Sequence, residues 1–180
     1  MKRIKVLDKE FELSISSSRI QHRINEIADQ MSSDMKGMNP IFIGILNGSF
    51  MFVSDLFRKL NFDAQITFLK LSSYEGTNST NHIKQLIGLN RDIQGMDIII
   101  LEDIVDTGIT LETIIQQLKK YKPASIRVAC LLFKPGENKL AMKPDYIGFK
   151  IENKFVIGFG LDYNGYGRKY EDIYTLITNG

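Results

Sequence analysis

The sequence predicts an α/β fold: a central parallel sheet flanked by helices, with a small hood lobe built from the chain ends. Three observations carry this. Short apolar runs stand at 41–46, 98–101 and 126–133; stretches with helical apolar spacing separate them; and the two kinds of segment alternate along the chain. Runs that are apolar at nearly every position suit strands buried on both faces, and in such sheets ligands bind at the carboxyl ends of the strands.

Composition sets the bounds. A chain of 180 residues, 43% hydrophobic and 24% charged, suits one globular domain with a real core. Its sheet core is expected over about 37–134 and the hood over about 1–36 and 135–180. A net charge of +2 is too weak to argue for nucleic acid or a membrane surface, and no 18-residue apolar run suggests a span. The opening MKRIKVLDKEFEL turns charged again at Asp8, so no signal-peptide core is expected and the cytoplasm is the default compartment. Two sequons, at Asn47 and Asn78, carry little weight without a secretory signal. The single cysteine, Cys130, lies within an apolar run and reads as a buried thiol.

Taken in order, Ser16, Ser17 and Ser18 form a cap before Ile20, Ile24, Ile27 and Met31, which recur at helical spacing. Lys36-Gly37-Met38-Asn39-Pro40 ends that helix. The run 41–46 is a buried strand, and Asn47-Gly48-Ser49 is a turn into a second helix with Phe50, Val53, Leu56, Phe57 and Leu60 inward. Residues 64–71 read as a strand, and the polar, hydroxyl-rich 72–81 as a mobile loop. After the strand 98–101, Leu111, Ile114, Ile115 and Leu118 mark a third helix, which stops near Pro123. A strand follows at 126–133, and from 146 to 177 strand-like runs alternate with glycine turns.

The stretch LEDIVDTGIT, residues 101–110, carries the chemistry. Glu102 and Asp103 fall at the carboxyl end of the strand 98–101. Asp106, Thr107, Gly108, Ile109 and Thr110 then open a helix. Amides at a helix start lack intrahelical partners, threonine hydroxyls add donors, and glycine lets the backbone approach closely. Together these make a phosphate cradle without a lysine, and the chain has no GxxxxGK[ST]. Acids directly upstream suit sugar hydroxyls or magnesium near them, so a sugar phosphate fits better than a bare phosphate. An acidic helix cap, stabilised by about 0.3–1 kcal/mol per charge, would account for the same residues structurally.

The longer stretch IIILEDIVDTGIT resembles the phosphoribosyl-pyrophosphate signature of the type I phosphoribosyltransferases: an apolar strand, two acids, two aliphatics, then D-T-G-x-T. GILNGSFMF (44–52) resembles the pyrophosphate loop of the hypoxanthine-guanine phosphoribosyltransferases, and SSYEG (72–76) their mobile catalytic loop. LLFKP (131–135) is similar to the segment with the base-reading lysine, and KPDYIGFKIENKFVIGFGLDYNGYGR (143–168) to the purine pocket. The resemblance runs from about residue 40 to the end and implies the type I phosphoribosyltransferase fold, of the bacterial type.

What it implies residue by residue is chemically specific. Glu102 and Asp103 would bind the ribose hydroxyls and, with Asp162, magnesium; the loop from Asp106 to Thr110 would hold the 5′-phosphate. Asp106 would accept the purine N7 proton, and Glu102 and Asp103 beside it are expected to raise its pKa against the pull of magnesium and protein cations. Lys134 would donate to O6, Phe155 would stack on the base, Val156 would offer backbone groups, and Leu161 and Asp162 would edge the pocket. Leu46, Asn47, Gly48 and Arg168 would meet pyrophosphate, and Ser73 and Tyr74 would close as a lid.

The implied substrates are phosphoribosyl pyrophosphate and a 6-oxopurine, the cofactor is Mg2+, and the assembly is a homodimer or homotetramer. Two departures stand out. Asn47 occupies a position where most members of the resembled family carry lysine or arginine, and the lid reads GTNSTNHIK rather than the commoner T-x-S-[ST]-G. Three rival readings are a phosphoribosyl-pyrophosphate-responsive regulatory protein that binds RNA or DNA, a uracil enzyme and a xanthine-guanine enzyme. The first wants a basic face, whereas the lysines and arginines here are scattered. Lys134 and the segment 154–156 suit a 6-oxopurine better than uracil, and the tail departs from the shorter xanthine-guanine group.

Overall fold

A computed structural model describes residues 2–74, 83–89, 91–137 and 143–178, the side chains of 72–74 and 83–87 excepted. Residues 75–82 of the expected lid lie outside the described residues. The chain opens on a hairpin that the sequence reading lacked, β1 (Arg3–Val6) and β2 (Lys9–Ile15), paired antiparallel. Helix α1 (Ser17–Asp34) follows, its cap Ser16 accepting from the Arg19 amide at 3.5 Å. Then come β3 (Ile41–Leu46), α2 (Phe50–Phe57), β4 (Gln65–Tyr74), β5 (Ile83–Ile87), β6 (Asp97–Val105), α3 (Ile109–Lys119) and β7 (Ser125–Phe133). The tail supplies β8 (Tyr146–Lys150), β9 (Val156–Ile157) and β10 (Ile173–Leu176).

The main sheet has the order β5-β4-β3-β6-β7-β8, parallel throughout except for the antiparallel β5 at one edge. Strand alternation sorts its core onto two faces. Phe42, Ile99, Leu101, Ala129 and Leu131 pack with α1 and α2, while Ile43, Ile98, Ile100, Val128 and Cys130 pack with α3. Both faces are thus covered, which is why the central stretches of these strands are almost continuously apolar. A second, four-stranded sheet, β1-β2-β10-β9, joins the two ends of the chain over its own small core of Val6, Phe11, Ile157 and Tyr174.

Four expectations need correction. Helix α1 does not belong with the hood: Ile20, Ile24, Ile27 and Met31 are buried in the cluster that holds main-sheet residues. Strand β8, placed in the hood, extends the main sheet by pairing with β7. It is short and carries Gly148, so it lacks the apolar signature of its neighbours. Helix α2 buries Phe52, Val53 and Leu56 rather than Phe50, which is 43% exposed, and it ends before Leu60. Ser72, Ser73 and Tyr74, expected in a loop, continue β4 and pair with β5 at Gln85, Lys84 and Ile83. The run Ser72-Ser73-Tyr74 is polar and carries no apolar alternation to mark it as a strand.

A candidate sugar-phosphate cleft

The chain leaves β3 through α2 towards β4, on one side of the sheet, and leaves β6 through α3 towards β7, on the other. Those two strands are neighbours, so a crevice opens where the connections part. Pairing between them stops at Gly44 and Leu101, whereas β3 runs on to Leu46 and β6 to Val105. Glu102 and Asp103 therefore lie inside the last half of β6 rather than beyond its end, with one edge freed from β3. Into this gap opens a cleft of about 510 Å³, lined by Leu46, Asn47, Gly48, Glu102, Asp103, Asp106, Thr107, Gly108, Thr110, Asp162 and Arg168, all expected site residues.

The 46–48 segment and β6 meet with no room to spare. The Leu46–Asn47 peptide is cis. A Cβ on Gly48 would stand 1.5 Å from Asp103 Oδ2, so only glycine fits there. Ser49, wholly buried, donates its hydroxyl to the Ile45 carbonyl at 2.6 Å and ties the loop back to its strand. Nothing local to the turn 47–49 singles out Ser49; its role depends on the fold.

Across the cleft, Gly108 takes a φ of 81°, a left-handed conformation that admits glycine at little cost, and starts α3 without a side-chain cap. The first helical bond runs from the Glu112 amide to the Gly108 carbonyl at 2.9 Å. Amides ahead of it have no intrahelical acceptor.

The lining is acidic. Burial pushes the Glu102 carboxyl well above the usual range, and the Asp103 charge adds to this. Burial likewise raises Asp103 to about 6, against the opposing hydrogen bond from the Ile104 amide at 2.8 Å. Asp106 faces a cation, with Lys134 Nζ at 3.0 Å from its Oδ2.

That lysine leaves the end of β7 and is buried, and Asn153 Oδ1 stands 3.4 Å from the same nitrogen. Asn153 had not been singled out; it brings the segment before Phe155 to the lysine. Phe155 lies outside the cleft lining, 45% exposed, against Phe11 and Tyr163. The side chain of Val156 lines a separate hood groove with Glu12, Lys154 and Thr175, and Leu161 is buried in the main core. Ile109 is half-exposed beside the loop. Arg168 reaches the cleft from the tail, pairing with Asp162 Oδ1 at 2.7 Å and donating to the Gly160 carbonyl at 2.7 Å.

Magnesium suits this donor set. The groups are all oxygen, and two buried carboxyls with raised pKa values would be relieved by a nearby cation. Among the described residues no cluster of three ligands closes a cage. That suits an ion that keeps waters and is completed by substrate phosphates.

A model of the phosphoribosyl transferase domain matches residues 16–164. The chain belongs to the phosphoribosyltransferase family. Within it, the chain is similar to the hypoxanthine-guanine phosphoribosyltransferase of Lactococcus lactis, with 37% identity over 161 residues that cover 88% of this chain and 87% of that one. The solved hypoxanthine phosphoribosyltransferase of Staphylococcus aureus superposes with a TM-score of 0.85 at 36% identity, covering 92% of this chain and 91% of the other. A stretch of 150 residues is also 36% identical to the bifunctional TilS/HprT protein of Listeria innocua, of whose length it spans 23%.

Proposed function

We propose that the chain transfers the 5-phosphoribosyl group from phosphoribosyl pyrophosphate to N9 of hypoxanthine or guanine, releasing pyrophosphate and the nucleoside monophosphate. One observation carries the reading. Segments as far apart in sequence as 46–48, 102–108, 162 and 168 line a single cleft at the switch point of the sheet. The likeness to hypoxanthine-guanine phosphoribosyltransferases along nine-tenths of the chain supports the substrate class.

In this reading the amides and hydroxyls of Thr107, Gly108, Ile109 and Thr110 hold the 5′-phosphate, as the uncapped helix start favours. Glu102 and Asp103 orient the ribose hydroxyls. Leu46, Asn47, Gly48 and Arg168 receive pyrophosphate. Glu102, Asp103 and Asp162 would hold magnesium together with substrate oxygens, and the ion would supply charge stabilisation to the leaving group. Lys134 donates to O6 while Asp106 faces N7, and the 3.0 Å between their charged atoms suits two adjacent atoms on one purine edge.

As N9 bonds to C1 and pyrophosphate departs, N7–H becomes acidic, and Asp106 takes that proton late in the step. Phe155 stacks on the base, Val156 offers backbone groups, and Leu161 and Asp162 edge the pocket. Ser73 and Tyr74 belong to a segment that excludes water from the reacting sugar. The enzyme acts as a homodimer or homotetramer in the cytoplasm.

Steady-state product formation with hypoxanthine, guanine, xanthine and uracil, each with the activated sugar and magnesium, tests this reading. Turnover of the first two only is expected; turnover of uracil or xanthine alone, or of none, overturns it.

A further inference from the structure

Phe155 is held in an unusual way for a half-exposed ring. Its carbonyl accepts from the Leu176 amide at 2.9 Å, which fixes the backbone but leaves the side-chain torsions free. Those torsions are set by two other rings. Tyr163 meets Phe155 nearly at right angles, 84° with centroids 5.9 Å apart, and Phe11 lies against it at 6.4 Å. Phe11 and Tyr163 are themselves 6.4 Å apart, so the three rings form a closed triangle. Phe11 is fully buried and anchors one corner.

The Tyr163 corner is tethered from the N-terminal hairpin. Its hydroxyl donates to Asp8 Oδ1 at 2.9 Å, and Lys9 Nζ stands 5.5 Å from its ring centroid. Its own backbone is pinned by paired bonds with Tyr166, at 2.8 and 3.0 Å. Asp8 and Lys9 belong to the turn and the start of β2, and Phe11 to β2 itself. Every side-chain support of Tyr163 and Phe155 noted here therefore comes from the first hairpin or from its own triangle.

We infer that Tyr163 is a positioning residue for purine recognition, and that the N-terminal hairpin sets the pitch of the stacking ring through the Asp8–Tyr163 tether. The inference rests on the reading that Phe155 stacks on the base. A ring with free torsions would sample several orientations, each costing affinity when the purine selects one. Edge-to-face contact restricts that freedom, and Phe155 remains 45% exposed. The tether gives the first fifteen residues, remote from the acidic cleft, a part in base binding.

Steady-state constants for base and for phosphoribosyl pyrophosphate in Tyr163→Ala, Phe155→Ala and the double variant test the idea. Phe155→Ala should raise the base KM roughly five- to hundred-fold, the loss expected of a stacked base. Tyr163→Ala should raise it about two- to ten-fold, the span of one aromatic pair, with the sugar-phosphate KM and the melting temperature little changed. Once Phe155 is absent, Tyr163→Ala should add nothing. Tyr163→Phe and Asp8→Ala should give matching smaller rises, whereas Asp8→Asn, which keeps an acceptor, should restore the normal value.

Additive effects in the double variant overturn the inference, as does a Tyr163→Ala protein in which both KM values rise together. If Phe155→Ala is itself silent, the stacking reading fails and the inference with it. If Phe155→Ala is harmful and Tyr163→Ala silent, only the inference fails.

Discussion

Gly48→Ala isolates the contact between the 46–48 segment and the acidic strand. The new methyl carbon would lie 1.5 Å from Asp103 Oδ2 and 2.5 Å from its Cγ, so the carboxylate must retreat by about 2 Å to reach ordinary contact distance. The loop itself has little room to give way. Ser49 binds it to the Ile45 carbonyl at 2.6 Å, and Gly160 packs so closely over Gly48 that a Cβ there would sit 2.0 Å from the Gly48 carbonyl oxygen. The Asp103 side chain therefore swings, giving up its 2.8 Å bond from the Ile104 amide.

A misplacement of about 1 Å costs on the order of a hundred-fold in rate. That is about 2.7 kcal/mol in the barrier. Stability should fall by no more than about 1–2 kcal/mol, because the carboxylate moves into the open cleft rather than into packed core. The assay is kcat/KM for phosphoribosyl pyrophosphate at several magnesium concentrations, beside a thermal melt. Kinetics within three-fold of the parent would refute the reasoning. So would a collapse of the melting temperature large enough to account for the lost activity.

Three further outcomes follow from the same geometry. Asp106→Asn should lower kcat roughly 10²–10⁴-fold with modest change in either KM, the loss typical of a proton acceptor; it should also lower the melting temperature, because it removes the charged partner of buried Lys134. Asp103→Asn should stabilise the protein in chelator at pH 7.5. A carboxyl raised from 3.8 to about 6 binds its proton more readily when folded, so wild-type stability falls as pH rises between about 4 and 6 and stays lower above. The gain, at most about 3 kcal/mol, should vanish below pH 4 in melts across that range. Cys130, fully buried and with its thiol pushed up by burial, should resist alkylation in the native protein and react only on unfolding, as intact-mass measurement would register.

Periodicity and short-range chemistry were enough to read much of this molecule from its residues. Ile20, Ile24, Ile27 and Met31, or Leu111, Ile114, Ile115 and Leu118, mark their helices because one face of each is buried in a covered sheet. The acids and the glycine of 102–110 mark the cleft lining in the sequence because they are consecutive residues, and local chemistry needs no tertiary contact to be visible.

Other features depended on partners far along the chain. Strand β8 joins the main sheet through β7, and the hood sheet closes only when residues 3–15 meet 156–176. Short strands at a sheet edge bury one partner each, so their own residues carry no period that separates them from loops. The ion pairs Lys134–Asp106 and Arg168–Asp162, and the aromatic triangle behind Phe155, likewise required three-dimensional closure. Which charges face one another, and which carboxyls are buried, is set by how the strands part beyond Gly44 and Leu101. That parting is a property of the whole sheet, which no single stretch of residues contains.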